Sequence, residues 1–233
     1  MSTPLVTLLP SPLLGPSAWT PVHAVLAERG WDILLPSSPP GPPRTGEDVL
    51  DWLVAALPAD KDLVLIPHSN AGAYVPALTE QLSVTGYVFV DAVLPPRSGR
   101  LPLAPQELLD SLRSKADGVG VLPPWTQWWG ESEVADLFPS AAVRARVERE
   151  QPRLPLSYFE GSLSIQKGWD DRPGGYLAFG DTYANEREGA VRRGWPVRTL
   201  AGQHLHLLAR PDLVTTTLVD LLEELGFAPD PRT

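Results

Sequence analysis

The sequence predicts an α/β fold in which a mostly parallel sheet of about six strands is flanked by helices. Three observations carry this. Short apolar runs recur along the chain, at Leu5–Leu9, Trp31–Leu35, Leu63–Ile66, Gly86–Asp91, Tyr176–Phe179 and Trp195–Leu200. They are apolar at successive positions rather than at alternate ones, the pattern of strands buried on both faces by covering helices. Helical periodicity separates them, except from Pro95 to Pro173, where helical patterns and aromatic residues follow one another without a strand.

Each element has a local justification. Leu5-Val6-Thr7-Leu8-Leu9 is stopped by Pro10, and Pro10 to Ser17 is a loop. Ser17, Thr20 or a neighbour caps a helix whose apolar face holds Val22, Val25 and Leu26 and which ends at Gly30. After the Trp31–Leu35 strand, the proline-rich stretch Ser37 to Pro43 excludes regular structure, and Thr45 with Asp48 three residues on opens a helix carrying Val49, Leu50, Leu53 and Val54. Leu63-Val64-Leu65-Ile66-Pro67-His68-Ser69 then runs into Asn70-Ala71-Gly72 and a helix through Ala77 and Leu78: strand, tight turn, helix, with Ser69 at the tip. Pro76 falls inside that helix and is expected to kink or shorten it. Gly86 to Asp91 is the next strand.

Residues 95–173 read as an inserted helical lid, with helices at Pro105–Arg113 and Ala141–Glu150 and a cluster of Trp125, Trp128, Trp129, Tyr158, Phe159 and Trp169. Residues 1–94 and 174–233 form the core around it. The doublet Gly174-Gly175 reads as a turn, followed by the Tyr176–Phe179 strand, a helix over Ala184–Arg193, the Trp195–Leu200 strand and a final helix from Pro211 to Leu225 closed by Gly226.

Composition narrows the function. With 233 residues and 43% hydrophobic content the chain suffices for one well-buried domain with an insertion. A net charge of −9 without a run of Lys or Arg argues against nucleic acid or an anionic membrane as partner. Absence of cysteine removes thiol catalysis, disulfides and Cys-based zinc sites. The apolar stretch Leu5–Leu9 is too short for a signal-peptide core, so a cytoplasmic location is expected, and no window has the length of a membrane-spanning helix. The four histidines lack the spacing and carboxylate company of a metal site, and no cofactor is expected.

Ser69 is the residue around which the chemistry gathers. A serine hydroxyl is a weak nucleophile at neutral pH and needs a base to take its proton, a role imidazole fills and then reverses toward the leaving group. His204, in Ala201-Gly202-Gln203-His204-Leu205-His206, is the candidate base, and a carboxylate must hold its tautomer. The backbone N–H of Asn70, just after the nucleophile, is one donor for the developing oxyanion.

On these motifs the chain resembles the α/β-hydrolase superfamily over nearly its whole length. Pro67-His68-Ser69-Asn70-Ala71-Gly72 stands where that family has its Gly-x-Ser-x-Gly elbow, the insertion follows the next strand, and the histidine lies late in the chain. The resemblance implies an acid either at the end of the strand after the nucleophile helix, which is Asp91, or after the penultimate strand. There Asp181 lies two residues before the expected slot, which Tyr183 fills, and Glu186 is a third choice. Asp91 is favoured and Asp181 is the runner-up. It implies a second oxyanion donor from the loop Pro10–Gly15; Pro12 has no N–H, so the role passes to Leu13. Pro67 replaces the small residue usual before the elbow, and the family's two leading antiparallel strands are expected to be missing.

Trp125, Trp128, Trp129 and His206 are the candidate pocket residues, with the lid core as the competing reading for the tryptophans. His68 is expected to be structural, because strand alternation points it away from Ser69. The resulting expectation is a serine hydrolase of esterase or thioesterase type, acting on an apolar small-molecule acyl substrate through an acyl-Ser69 intermediate. The alternatives are a lyase, cyclase or epoxide-opening enzyme on the same fold, or a catalytically weak ligand-binding member. Neither substrate identity nor oligomeric state is legible.

Overall fold

Strand and helix alternate from Leu5 to Ala92 in the computed structural model, which describes residues 4–229. In order these are β1 (Leu5–Leu9), α1 (Thr20–Glu28), β2 (Ile33–Leu34), α2 (Gly46–Ala56), β3 (Leu63–Ser69), α3 (Val75–Gln81) and β4 (Val84–Ala92). The inserted segment carries β5 (Gly99–Pro102), α4 (Gln106–Arg113), α5 (Glu131–Ala135), α6 (Ala141–Glu150), α7 (Leu156–Glu160) and β6 (Ser162–Ile165). The alternation resumes with β7 (Gly174–Phe179), α8 (Ala184–Arg192), β8 (Val197–Leu200), α9 (His206–Ala209) and α10 (Pro211–Glu224). The outer ends of the expected core, residues 1–3 and 230–233, lie outside the described residues.

Six strands form one sheet in the order β2-β1-β3-β4-β7-β8, and every ladder in it is parallel. The central strands β3 and β7 are buried at every position, and β4 at all but Thr85, which explains their unbroken apolar runs. In a parallel sheet all strand ends of one kind share an edge, so Ser69, Asp91 and Phe179, at or beside the carboxyl ends of β3, β4 and β7, are neighbours there.

Local chemistry sets several boundaries. Thr45 Oγ1 accepts the Asp48 N–H at 3.1 Å while Asp48 Oδ2 accepts the Thr45 N–H at 3.0 Å, the reciprocal cap expected at the start of α2. Neither Ser17 nor Thr20 caps α1 with its side chain. The turn before it, Pro16–Ala18, is held by Glu150 at the end of α6, which accepts from the Ser17 N–H at 2.7 Å and its hydroxyl at 2.5 Å. Pro76 does shorten the regular helix after Ser69. Residues Asn70–Tyr74 form a 3-10 turn and α3 starts at Val75, with Pro76 in the first turn, where its missing N–H has no partner to lose.

Two expectations need correction. Gly174 and Gly175 are not a turn but the first residues of β7: a Cβ on Gly174 would lie 2.5 Å from the Trp195 ring and 2.7 Å from that of Tyr87, so the missing side chain permits close packing of aromatic rings. Residues 95–173 are not wholly helical either, because β5 and β6 pair antiparallel at their two ends. The ends are fastened to the core by Arg193, which donates to the Pro95 carbonyl at 2.6 Å, pairs with the buried Asp170 at 3.1 Å and lies over the Trp169 and Trp195 rings. Among the described residues no helix is long and apolar enough to cross a membrane.

Candidate active site

Ser69 ends β3 with φ 58° and ψ −131°, a conformation a non-glycine residue adopts only under local strain costing roughly 1–3 kcal/mol. The sharp turn is held from both sides. The Ser69 carbonyl accepts the Val93 N–H at 3.0 Å, and Gly72, one turn on, approaches so closely that a Cβ there would sit 2.0 Å from the Val93 carbonyl oxygen. Only glycine fits.

Asp91 is the second non-glycine residue with positive φ, at 42°. Fully buried, its carboxylate is satisfied on both oxygens: Oδ1 accepts the Phe179 N–H of β7 at 2.9 Å and Oδ2 accepts from His204 Nδ1 at 2.7 Å. Because a carboxylate only accepts, Nδ1 of His204 carries the proton, and Nε2 is left as an acceptor. Nε2 lies 3.0 Å from Ser69 Oγ. Ser69, His204 and Asp91 are thus one hydrogen-bonded chain assembled from β3, the loop before α9, and β4. Asp181 stands apart: its side chain is 86% exposed and pairs with Arg187 at 3.2 Å. Glu186 is partly buried, its carboxyl raised by desolvation and, to a smaller extent, by Asp91.

Three neighbours act on this chain without having been singled out for it. His68 is fully buried; its Nε2–H donates to the His204 carbonyl at 3.1 Å and its ring stacks on that of His204, with centroids 4.7 Å apart and planes 22° from parallel. The imidazole of His204 therefore contacts both neighbours, His68 by stacking and Ser69 by its Nε2. Burial, and then the neighbouring His204, hold the His68 imidazole well below its usual pKa, so it is neutral. Tyr183, in the slot where an acid was expected, lies 5.6 Å from the His204 ring between centroids. Burial pushes its phenol up, and Asp91 adds to this, so it is present as a neutral O–H. Tyr158 of α7 donates to Asn70 Oδ1 at 2.7 Å and is bonded to the Tyr74 hydroxyl at 2.6 Å, tying the inserted segment to the residue after the nucleophile.

The remaining candidates divide. Asn70 is the first residue of the 3-10 turn that follows Ser69. Leu13 fits the oxyanion reading poorly, because its N–H is directed at Ser11 Oγ, 3.3 Å away. Trp125 and Trp129 line, with Glu133, Leu137, Thr182 and His204, a cavity of about 210 Å³. Trp128 does not line it: its ring packs on Phe159 and its Nε1–H donates to the Pro123 carbonyl at 2.8 Å, so it belongs to the core of the inserted segment. His206 is likewise not a lining residue; it packs edge-on against Phe179, 5.5 Å between centroids, under the loop at Gly202. Among the described residues no group of three or more His, Asp or Glu side chains is placed to hold a metal ion.

No protein-family model matches the chain, and no curated protein matches it in sequence. Solved structures do. An extracellular α/β-hydrolase from a Paenibacillus species, described as sharing structural and functional homology with tobacco salicylic acid binding protein 2, has a TM-score of 0.74 at 18% identity, over 94% of this chain and 99% of its own. A tomato methylketone synthase I variant gives 0.70 at 14% identity, over 97% and 100%. A methylesterase from Arabidopsis gives 0.65 at 12%, over 94% and 98%. Identities this low speak to architecture and not to reaction. The parallel sheet order, the helices on it and these superpositions make the fold of this chain that of the α/β-hydrolases.

Proposed function

We propose that the chain is a serine hydrolase of esterase or thioesterase type, acting on a small, largely apolar acyl substrate. The observation that carries this is the continuous hydrogen-bonded chain from the Asp91 carboxylate through His204 to Ser69 Oγ. Ser69 Oγ attacks the acyl carbon as His204 Nε2 takes its proton, and the imidazolium so formed is stabilised by Asp91. The negative oxygen of the tetrahedral intermediate faces the Asn70 N–H. The bond to the leaving group then breaks, and His204 returns the proton to the departing alcohol or thiol. Water, deprotonated by the same imidazole, releases the acid from acyl-Ser69 and restores the hydroxyl. Structural neighbours described as a methylesterase, polyneuridine aldehyde esterase and a pyrethroid hydrolase agree with ester chemistry on this fold.

A second reading has one observation in its favour. With Pro12 lacking an N–H and the Leu13 N–H directed at Ser11, the loop after β1 offers the oxyanion a weakened second donor. A site of that kind suits a lyase, cyclase or epoxide-opening enzyme that uses Ser69 and His204 for proton transfer, or a binding protein with little turnover. Ser69→Ala and His204→Ala proteins assayed with a short p-nitrophenyl ester separate the readings. Hydrolysis by the parent chain that falls by a factor on the order of 10³ or more in both supports the first reading; undiminished hydrolysis in both removes it.

A further inference from the structure

The cavity at His204 has a composition that an apolar acyl pocket does not call for. Trp125 and Trp129 meet edge to face, 6.5 Å between centroids with planes 70° apart, and so present two indole surfaces at a corner. Trp125 lies 6.0 Å from the His204 ring, which places that corner directly beside the proposed base. The carboxylate among the lining residues is Glu133, and no Lys or Arg is with it. Glu133 is exposed, and its Oε2 accepts the Gly130 N–H at 2.8 Å, which closes the cap of α5 and holds the carboxylate beside the cavity. Arg144, the guanidinium that reaches α5, is engaged by Glu131 and Glu148 instead.

Two indole faces and a held carboxylate recognise one kind of group well. An alkylammonium is attracted to the electron-rich faces of tryptophan and to the carboxylate together. A neutral hydrocarbon of the same shape would fill the space but gains nothing from the Glu133 charge, which an alkylammonium offsets. The size agrees, since about 210 Å³ is less than the roughly 300–1,000 Å³ of a pocket for drug-sized ligands and suits a compact head group. The orientation follows from His204. That residue must reach the oxygen of the departing alcohol, and it lines this cavity, so the group held here is the alcohol portion of the substrate.

We propose that the cavity formed by Trp125, Trp129 and Glu133 selects substrates whose leaving alcohol carries a compact organic cation. The inference rests on the hydrolase reading above and refines it. Two acetate esters test it, that of choline and that of 3,3-dimethylbutanol, which differ by a carbon in place of the charged nitrogen. The kcat/KM for the choline ester is expected to exceed that for the neutral ester by roughly 5- to 30-fold, the range that cation–π and carboxylate contacts at a partly exposed site provide. Glu133→Gln keeps an oxygen for the Gly130 N–H and removes the charge, so it should compress that ratio severalfold. Glu131→Gln, on the same helix but outside the cavity, should leave the ratio as it is. Because each ratio is taken within one protein, loss of folded material does not disturb it.

Equal turnover of the two esters, or preference for the neutral one, overturns the cation inference while leaving the hydrolase intact. If neither ester is turned over and a fluorophosphonate fails to label Ser69, the hydrolase reading is what has failed. The cavity is then judged by tryptophan fluorescence, titrating the Ser69→Ala protein with choline and with 3,3-dimethylbutanol. Tighter binding of choline sustains the proposal, and binding no tighter than that of the neutral alcohol ends it.

Discussion

Asp91 reaches His204 from the end of β4, at 2.7 Å, with its other oxygen held by the Phe179 N–H of the adjacent strand. This arrangement makes the consequence of Asp91→Asn specific. The amide oxygen is kept facing the Phe179 N–H, so the NH₂ group faces Nδ1 and forces the imidazole into the tautomer with its proton on Nε2. A protonated Nε2 cannot accept from Ser69. The expected outcome is a fall in kcat on the order of 10³–10⁴ with little change in stability, whereas Asp181→Asn, on the surface with Arg187, should leave kcat unaltered. Steady-state kinetics on the two variants checks this.

The elbow tolerates no side chain at position 72. Gly72→Ala would set a methyl group 2.0 Å from the Val93 carbonyl oxygen and push the turn away from β4. A loss of about 3 kcal/mol or more in urea denaturation is expected, at the upper end of overpacking costs, together with reduced acylation, because the same turn places Ser69.

Stability should fall on mild acidification, and His68 should be a principal cause. Its folded-state pKa is depressed by burial and by His204, so the unfolded chain takes up a proton that the native one refuses. Stability from this source is intact above the unfolded value near 6.5 and is lost as pH falls below it, by at most about 1.4 kcal/mol per pH unit. His206, also lowered by burial, acts in the same direction. Thermal unfolding between pH 7.5 and 5.5 should show Tm decreasing, and a His68→Gln protein should show a shallower decrease.

Tyr74, Tyr158 and Asn70 form one buried network, so deletions within it should not add. Tyr158→Phe removes the donor to Asn70 and the partner of Tyr74, with an expected cost of about 1–3 kcal/mol. After that change, Tyr74→Phe should cost less than it does in the parent chain. A double-mutant cycle by chemical denaturation measures the difference.

What was legible in the sequence follows from which physical signals are local. Buried parallel strands announce themselves as unbroken apolar runs, and the strand–Ser69–helix turn is written in consecutive residues. The choice between Asp91 and Asp181 was not local. Both follow apolar strands, and only the third dimension shows one buried against His204 and the other in solvent with Arg187. Gly174-Gly175 carried a turn signal whose actual reason is contact with Trp195, distant in sequence at the level of packing. Strand alternation alone does not tell which loop packs on His68, and that loop is the one carrying His204. Tyr183 fills the slot where an acid is expected, and its ring packs beside His204, a nearness that the slot itself implies. Trp128 differs from Trp125 only in which way a short turn faces, a distinction that composition does not encode.

The central claim is that Ser69 is an activated nucleophile, and its most direct measurement is intact mass and peptide mapping after exposure to a fluorophosphonate. The account predicts one adduct per chain, on Ser69, absent in Ser69→Ala and formed far more slowly in His204→Ala. An unlabelled Ser69 in the folded protein, or an adduct that persists at the same rate without His204, would contradict it.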